Sequence, residues 1–579
     1  MEPSELSEEQ KVLLDQTVRV VEAGPGSGKT RALVARFLAS ASQSDKGIAL
    51  VSFTNAAVDE VRRRTHQMPG LLKAPHFVGT IDSFLHRFIV TPAETARLGR
   101  PPSYWASWDD LPEQWSTVRL KNPAGSGIPL SAFRIDAGGT VAINESGLGS
   151  DAPYLAQVKK AGALDALTKV ARAKTKGLTD HGTYDASAAR IKADELLSGS
   201  AGPDILARIA CRFGELLVDE GQDCDQAELD VIRRIGDAGV LTVVVADPDQ
   251  AIFEFRGSDP KLFLDYRDSY GPVSCASLVT NYRSTTSICT AVTALRSTGV
   301  VAPANKGSCA PVLVLSGAPD DQRKKFAAAL DEFGVPLESA IVLAHGRRDA
   351  MAAAGASPAE GGSRAIGNRL AAECSVIRHS ADSDRRLQAV QVIERIILSL
   401  VDWPDDLRTN SPGEQLDALG RPAEWLRQAV AALVARTALT STADAFGAAA
   451  RSQLQATLGS LPITHLSLSQ RVRKPNADVW AACSVAPGPD SPDMRYGTVH
   501  GAKGMEFEAV LLALPLADLR KTNGLDVLDE WEQDVNREAR RVLYVGASRA
   551  QRLLAFGAGQ HSDRVASLLT HAGAPFEKR

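Results

Sequence analysis

A glycine-rich segment between a strand pattern and a helix pattern constrains this chain most. Residues 18–22, VRVVE, predict a strand, the sequence AGPGSGKT follows at residues 23–30, and a helical pattern begins at residue 29. Few folds combine a strand, a tight glycine loop and a helix in this order, and those folds bury the strand in a parallel sheet. We therefore expect an α/β protein whose glycine loop lies at the carboxyl end of a strand.

Strand patterns recur along the chain and predict two α/β lobes. Apolar runs at residues 48–53, 215–219 and 241–246 end in polar residues and precede helix-like sequence. A second series begins near residue 275, resumes at 498 and closes with a strand at 553–556. The predicted domains are residues 1–88 and 205–274 for the first lobe, 89–204 for a mainly helical insertion in it, 275–345 and 487–579 for the second lobe, and 346–486 for a reduced helical accessory insertion.

The glycine segment has the composition of a phosphate-binding loop. It fits the pattern G-x-x-x-x-G-K-[ST], with Ala23 in place of the first glycine. In such a loop the backbone N–H groups converge on a polyphosphate at a helix N-terminus. Lys29 would neutralise the terminal phosphates, and the Thr30 hydroxyl would be a ligand of Mg²⁺. The cofactors expected are therefore ATP and Mg²⁺, and the remaining loop residues expected to bind the nucleotide are Gly24, Gly26, Ser27 and Gly28.

A phosphate loop needs an acidic partner at the end of a neighbouring strand. Asp219 and Glu220 follow the apolar run at 216–218, so Asp219 would hold the metal and Glu220 would be the general base toward water. An apolar run followed by Asp-Glu is common by itself. In isolation the pair is as compatible with a plain strand end as with catalysis, and only its continuation is specific.

That continuation, DEGQD at residues 219–223, resembles the DExQD box of superfamily 1A helicases of the UvrD/Rep/PcrA type. Further segments are similar to the other boxes of this family, in the family's order. They are FTNAA at 53–57, GTIDSF at 79–84, DPDQAIFEFRG at 247–257, NYRS at 281–284, TVHGAKGMEF at 498–507 and EARRVLYVGASRA at 538–550. The resemblance implies two RecA-like P-loop NTPase lobes with ATP between them, and an ATP-dependent DNA translocase or helicase that travels 3′ to 5′ along one strand.

The resemblance also implies roles in hydrolysis for residues of the later boxes. Gln250 would sense the γ-phosphate or its water, and Arg283 would act as an arginine finger together with an arginine of the last box. Arg541 and Arg549 are eight residues apart and would lie on roughly one helical face. Which of the two reaches the phosphate stays open at this point.

The base and the sugar of the nucleotide have their own candidate residues. By resemblance, Tyr282 and Arg31 would sandwich the adenine and Glu506 would contact the ribose. Gln10 would read the adenine edge, but Ser7 and Gln10 also form an S-x-x-Q capping box in which the same amide merely caps a helix. We favour the adenine contact because of the resemblance.

The expected partner is single-stranded or partly duplex DNA. The formal net charge is −4 at pH 7, so no global basic field is present and the DNA surface must be local. Aromatic rings can stack on bases without regard to sequence. A phenylalanine considered by itself is more often a core residue. The residues that resemble base-stacking positions are Phe53, Phe253 and Phe255, and those that resemble phosphate or sugar contacts are Thr54, Asn55, Thr80, Thr498 and His500.

Two departures from the family pattern, together with the near-neutral net charge, motivate an alternative function. Asp82 stands where the family usually has His, and the segment between residues 284 and 497 is short for a full accessory lobe. The alternative is a DNA-stimulated ATPase that regulates a partner nuclease in anti-phage defence, as in UvrD-like subunits of systems such as Gabija, with little unwinding of its own.

The start of the chain and its apolar runs predict the compartment. Residues 1–11 are acidic and polar where a secretory signal would be basic and then apolar, and the apolar runs fall short of the ~18 residues that a membrane helix needs. The seven cysteines have no metal-ligand spacing. We therefore expect a cytoplasmic protein with reduced thiols and no membrane partner.

Overall fold

The computed structural model has the expected α/β fold, with two parallel sheets and many helices. None of the helices in the described part of the chain is long and apolar enough to span a bilayer. The structure describes residues 6–53, 58, 70, 73–105, 107–111, 113–135, 139–145, 148, 151–254, 257–304, 310–355, 365–379, 383–403, 412–483, 494–515, 519 and 521–579.

The first sheet has six parallel strands and carries the glycine loop. Its strands are rich in buried Val, Ile and Leu, as expected when helices cover both faces of a sheet. In spatial order they are Cys275–Leu278, Val20–Ala23, Leu241–Ala246, Phe213–Val218, Gly47–Ser52 and Phe77–Thr80. Because all six run parallel, the loops that follow their carboxyl ends gather at one edge.

One strand of this sheet corrects a predicted boundary. Cys275–Leu278 was expected to open the second lobe, but it pairs in parallel with Val20–Ala23 at the edge of the first sheet. The Arg19 N–H also donates to the carbonyl of Ser274. The sequence pattern could not assign this strand because a short apolar run does not reveal which sheet it joins.

The second sheet also has six parallel strands. In spatial order they are Tyr496–Thr498, Ala340–Ala344, Phe507–Ala513, Ala550–Gly557, Val312–Leu315 and Phe576–Lys578. The predicted strand at 553–556 lies inside Ala550–Gly557. The edge strand Tyr496–Thr498 ends at the residue where the TVHGAKGMEF segment, 498–507, begins.

Helices cover both sheets. Those beside the first sheet include Glu8–Lys11, Lys29–Gln43, Ile81–Leu85, Gln226–Asp237 and Pro260–Asp268. Those beside the second include Thr286–Leu295, Pro319–Glu332, Arg347–Ala354, Val527–Glu532, Glu538–Ala547 and Ser562–His571. A buried ion pair fixes the helix after the glycine loop, because Arg36 donates to the Glu215 carboxylate at 2.5 Å and to the carbonyl of Leu13 at 2.7 Å.

The segment at 89–204 contains short strands as well as the expected helices, and its core is continuous with that of the first sheet. The helices are Thr91–Leu98, Glu113–Ser116, Ala152–Lys160, Leu164–Asp180, Ala186–Ser198 and Gly202–Arg212. The paired strands are Ser103–Trp105 with Thr183–Asp185, Thr117–Val118 with Ile128–Pro129, and Phe133–Ile135 with Val141–Ile143. A π-helical turn, His86–Val90, joins Ile81–Leu85 to the first of these helices.

The region expected to form the accessory insertion is helical where it is described, and it has a core of its own. Leu370, Ile393, Phe446 and Leu454 are among the fully buried side chains of this core. The helices are Ile366–His379, Ser383–Ser399, Pro412–Ala418, Ala423–Ala438, Ala443–Leu458, Leu468–Arg471 and Ala477–Cys483.

Candidate nucleotide site and strand-binding surface

The glycine loop turns sharply between its strand and its helix. Gly26 and Gly28 have φ values of 68° and 79°, in the left-handed region that glycine adopts without strain. A Cβ atom at Gly26 would also lie 2.5 Å from Oδ1 of Asn281. The Ser27 hydroxyl donates to the carbonyl of Gly24 at 2.7 Å, which holds the loop closed upon itself.

The side chains that follow the loop suit a magnesium-bound polyphosphate. The Lys29 ammonium is buried and has no hydrogen-bond acceptor among the described residues, although it lies 3.8 Å from Oε2 of Glu220. The Thr30 hydroxyl donates to Oδ2 of Asp219 at 3.0 Å. A buried ammonium without an acceptor is costly unless an anion binds it, and hydroxyl and carboxylate oxygens are the ligands that Mg²⁺ prefers. The residues present therefore fit ATP and Mg²⁺.

The two acidic residues directly follow strand Phe213–Val218; Asp219 is buried, and 12% of the Glu220 side chain is exposed. Burial, followed by the charge of Glu220, raises the pKa of Asp219 to about 6. Burial also opposes ionisation of Glu220, but Lys29 and Lys503 outweigh that effect and lower the pKa of Glu220 to about 2. Glu220 is therefore ionised at neutral pH, as a general base must be.

The backbone of Glu220 is in an unusual conformation. Its φ and ψ are 58° and 39°, which places a non-glycine residue in the left-handed region. The Gln222 amide donates to Oε2 of Glu220 at 2.5 Å and thereby holds the carboxylate in place. Such strained residues cluster at functional sites, where the surrounding structure over-determines them.

Asp247 is a buried hub that orients Gln250. Its Oδ2 accepts hydrogen bonds from the Gln250 amide at 2.8 Å and from the Tyr544 hydroxyl at 2.7 Å. Its backbone N–H donates to Oε1 of Gln222 at 3.0 Å. Arg296 also donates to Oδ1 of Asp247, at 3.2 Å. The amide of Gln250 is therefore fixed from both lobes at once.

The sequence did not decide whether Arg541 or Arg549 reaches the phosphate, and the structure gives the two arginines different contacts. Arg549 is buried and donates to Oε1 of Gln250 at 3.1 Å. Burial, with a contribution from the charge of Arg283, lowers the pKa of Arg549 to about 10. Arg541 instead donates to the carbonyl of Ala251 at 2.6 Å and to the carboxylate of Glu254. Of the two, Arg549 is the one that meets the expected γ-phosphate sensor.

The expectation that both arginines lie on one helical face is wrong. The helix that carries Arg541 is Glu538–Ala547, with Ser548 as its C-cap. Arg549 lies beyond the cap and directly before strand Ala550–Gly557, so the chain turns and redirects its side chain. A helical spacing argument fails here because the helix ends between the two residues.

Arg283 and Glu506 were expected to contact phosphate and ribose. They form an ion pair with each other, in which Arg283 is mostly buried and Glu506 is exposed. Arg283 also donates to the carbonyl of Ser548 at 3.1 Å, while its Nε is buried without a hydrogen-bond partner in the described part of the chain. Gln551 donates to the other carboxylate oxygen of Glu506 at 3.1 Å. Burial acts to raise the pKa of Glu506, but Arg283, Gln551 and Arg549 together outweigh it, so the pKa is lowered.

A buried ion pair between the lobes was not among the predicted site residues. Lys503 donates to both carboxylate oxygens of Asp223, at 2.7 and 2.6 Å, and to the carbonyl of Gln250 at 2.7 Å. At most 1% of either charged side chain is exposed. Both residues lie inside motifs that are recognisable in the sequence. Their opposite charges were the only sequence feature that could have predicted this ion pair. Arg296 lies outside every motif, so the sequence offered no feature that predicts its place in the site.

The expected adenine residues lie beside the loop. Tyr282 is 49% exposed, and its backbone N–H donates to the carbonyl of Gly26 at 2.9 Å. Arg31 lies in the first turn of helix Lys29–Gln43. Gln10 and Ser7 form the complete capping box, and the Gln10 amide nitrogen also donates to the carbonyl of Ser27 at 2.8 Å. Gln10 therefore caps its helix and contacts the phosphate loop at the same time.

The side chains expected to bind the nucleotide and those expected to bind DNA follow different strands of the first sheet. Lys29, Asp219 and Gln250 follow three adjacent inner strands of the first sheet. Phe53 follows the next strand and is half-buried against the core, and Thr80 ends the edge strand, where its hydroxyl accepts from the Ser83 N–H at 3.1 Å. Thr54, Asn55 and Phe255 lie outside the described residues.

The remaining DNA candidates meet where the lobes touch. Phe253 packs against the second core, with its ring centroid 5.8 Å from that of His500 and 5.0 Å from the Lys503 ammonium. His500 donates from Nε2 to the carbonyl of Ile252 at 2.9 Å. Thr498 ends the edge strand Tyr496–Thr498 and accepts from the Gly501 N–H at 3.1 Å. Phe253 thus has packing contacts as well as an expected stacking role.

Two family models match the chain. Residues 5–271 match the UvrD/REP helicase N-terminal domain, and residues 490–560 match the UvrD-like helicase C-terminal domain. Together these matches cover more than half of the chain. They include the glycine loop, the DEGQD segment, and the boxes at 498–507 and 538–550 that carry Lys503 and Arg549.

Curated relatives of the chain include helicases of several bacteria. DNA helicase II of Salmonella typhimurium and that of Escherichia coli are each 29% identical over 282 residues, which is 48% of this chain and 38% of the relative. The ATP-dependent DNA helicase PcrA of Staphylococcus aureus is 26% identical over 284 residues, which is 46% of this chain and 36% of the relative. The chain thus spans less than two fifths of the length of these relatives.

Proposed function

We propose that this chain, which belongs to the UvrD-type family of superfamily 1A helicases, is an ATP-driven motor that moves 3′ to 5′ along single-stranded DNA. One observation carries the proposal. Gln250 of the first lobe receives hydrogen bonds from two residues of the second, Arg549 at its side chain and Lys503 at its carbonyl. A ligand that contacts Gln250 would therefore act on the position of both lobes.

The nucleotide chemistry follows from the residues that surround the loop. Lys29 and the loop N–H groups would bind the phosphates, while Thr30 and Asp219 would hold Mg²⁺. The metal, when bound, supplies charge neutralisation on the phosphate oxygens. Ionised Glu220 would accept a proton from the attacking water, which Gln250 would orient.

Two arginines would stabilise charge that develops on the transferred phosphoryl group. Arg549 reaches Gln250 from the second lobe, and Arg283 extends from the segment that connects the two sheets. Such guanidinium groups act mainly on the transition state, because they add positive charge where negative charge accumulates. Hydrolysis would weaken this contact and allow the lobes to separate.

Coupling to the strand would pass through the segment that follows Gln250. Phe253 lies three residues after the γ-sensor and packs on His500 and Lys503 of the second lobe. A base stacked on this side of the cleft would contact both lobes at the point where they meet. Closure and opening of the lobes would then shift the strand relative to Thr80 and Thr498.

Displacement of streptavidin from biotinylated oligonucleotides tests the direction of travel. With ATP, the chain should displace streptavidin from the 5′ end of a single strand faster than from the 3′ end, since 3′-to-5′ movement ends at the 5′ terminus. A non-hydrolysable ATP analogue in place of ATP is the control, and it should give no displacement. Faster displacement from the 3′ end, or equal displacement without hydrolysis, would refute the proposal.

A second candidate function is a DNA-stimulated ATPase that regulates a partner nuclease and has little unwinding activity. It is favoured by Asp82, which replaces the family's usual His and forms an ion pair with Arg190 of the 89–204 segment. An unwinding assay of the chain alone on a duplex with a 3′ overhang separates the two functions. Processive unwinding supports the motor acting by itself, whereas hydrolysis without unwinding supports the regulator.

A further inference from the structure

Arg190 lies at a junction of three carboxylates. It belongs to helix Ala186–Ser198, and only 6% of its side chain is exposed. Its Nε lies 3.2 Å from Oδ1 of Asp82 and 3.6 Å from Oε1 of Glu228, and its Nη1 lies 3.5 Å from Oδ2 of Asp225. One guanidinium of the 89–204 segment therefore neutralises charges that come from two separate elements of the first lobe.

The first of these elements carries an expected strand contact. Asp82 lies in helix Ile81–Leu85, whose N-cap is Thr80. The Thr80 hydroxyl accepts from the Ser83 N–H and lies 2.7 Å from the Ser83 hydroxyl. A shift of Asp82 would therefore move the helix turn that orients Thr80.

The second element begins at the hydrolytic residues. Asp225 is five residues after Glu220 and is the N-cap of helix Gln226–Asp237. Its side chain accepts from the Glu228 N–H, and the Glu228 side chain accepts from the Asp225 N–H, at 3.0 and 2.9 Å. The segment from Glu220 to this capping box is short, so its position is sensitive to that of Asp225.

Because this cluster is buried, the loss of one partner costs more free energy of folding than it would in a surface ion pair. Removal of one partner from a buried charge cluster leaves the remaining charges unpaired, and the cost is much larger than for an exposed pair. Without Arg190, the carboxyl groups of Asp82, Asp225 and Glu228 would lose the cation that they share. The two elements would then separate, or one carboxylate would have to be protonated.

We propose that Arg190 is a positioning residue that couples strand binding to ATP hydrolysis, and this inference rests on the proposed function. It fixes the Thr80 turn relative to the segment that carries Glu220. Strand binding at Thr80 would be transmitted through Asp82 and Arg190 to Asp225. Asp82 stands where the family usually has His, and its carboxylate is the group that Arg190 contacts.

The test measures ATP hydrolysis against the concentration of oligothymidylate, together with the melting temperature. Arg190→Gln should leave the rate without DNA within about two-fold and lower the stimulation by DNA about ten-fold, which is the size of a typical coupling between two sites. Asp82→Asn should give a similar loss. The double variant should be no worse than the worse single variant, because both changes remove the same link.

Arg234→Gln is the matched control. Arg234 pairs with Asp194 at 3.7 Å across the same two helices, Ala186–Ser198 and Gln226–Asp237, but it does not contact Asp82. It should leave the stimulation ratio unchanged. If Arg234→Gln lowered the ratio as much as Arg190→Gln, the link through Asp82 would be overturned.

Three results distinguish the inference from its alternatives. A lower melting temperature alone is expected from the loss of a buried charge partner. An equal loss of basal and stimulated rates would give Arg190 a purely structural role and overturn the inference. Should Arg190→Gln not fold, an unchanged stimulation ratio in Asp82→Asn would also overturn it. If the unmodified chain shows no stimulation by DNA, the proposed function fails, and that outcome is separate from a failure of the Arg190 link.

Discussion

Replacement of Arg549 by Ala, compared with the same change at Arg541, tests the arrangement of the hydrolytic site. Arg549 is buried and its guanidinium contacts Gln250 at 3.1 Å. A guanidinium that stabilises phosphoryl-transfer charge contributes about 10³–10⁵ in kcat, or roughly 4–7 kcal/mol of transition-state stabilisation. We expect kcat of Arg549→Ala to fall by about three orders of magnitude or more. Nucleotide affinity should change much less, because the contact strengthens mainly in the transition state.

Arg541→Ala should lower the stability of the protein and change the rate of ATP hydrolysis only slightly. Its guanidinium donates to the carbonyl of Ala251, to Glu254 and to Oδ1 of Asn536. Hydrogen bonds to a charged group contribute about 1.5–3 kcal/mol each, so the loss in stability should be several kcal/mol. The kcat of each folded molecule should stay within about ten-fold of the unmodified value.

The assay combines single-turnover ATP hydrolysis with a count of nucleotide-binding sites, so that rates refer to folded protein. Denaturant unfolding reports the loss of stability in each variant. Arg549→Lys adds a graded control, since it keeps the charge but cannot form the same fork of hydrogen bonds. A thousand-fold loss in Arg541→Ala with near-normal hydrolysis in Arg549→Ala would refute the assignment.

Three further variants have distinct expected outcomes. Arg283→Ala should lower kcat by orders of magnitude with a smaller loss of nucleotide affinity, measured by single-turnover hydrolysis and nucleotide titration, and equal losses in both would contradict a finger role. Phe253→Ala should weaken single-strand binding by about 1–3 kcal/mol in a fluorescence titration, whereas a fall in melting temperature with unchanged DNA affinity would assign the ring to packing. His86→Phe should remove a pH dependence of stability. Burial lowers the pKa of His86 from 6.5 to about 4, so the unmodified fold should lose up to about 3 kcal/mol as pH falls through that window, a loss seen by denaturant unfolding at several pH values. A variant that keeps the same pH slope would show that another group titrates.

Local chemistry explains why part of the site could be predicted from sequence. Lys29, Thr30 and Asp219 were predicted because a phosphate loop and a strand-end carboxylate each depend on a few adjacent residues, and the structure places Thr30 and Asp219 in contact at 3.0 Å. Their assigned roles stay predictions. The fold class was predicted for a similar reason, since alternating strand and helix patterns favour parallel sheets.

Contacts between distant segments could not be predicted in the same way. The strand Cys275–Leu278 joined the first sheet because of pairing with Val20–Ala23, which no local pattern records. The choice of Arg549 depended on where one helix ends, and helix ends are the least certain feature of a pattern. Arg190 and Arg296 lie outside every recognisable box, and their roles depend on carboxylates far away in sequence.

The most direct test of the central claim is the steady-state rate of ATP hydrolysis as a function of single-stranded DNA concentration, with Glu220→Gln as the inactive control. The account predicts a low rate without DNA, a saturable rise with single strands and a much smaller rise with blunt duplex. Glu220→Gln should bind ATP but hydrolyse almost none of it, since it lacks the carboxylate that we propose accepts a proton from water. A rate indifferent to DNA, or normal hydrolysis by Glu220→Gln, would contradict the account.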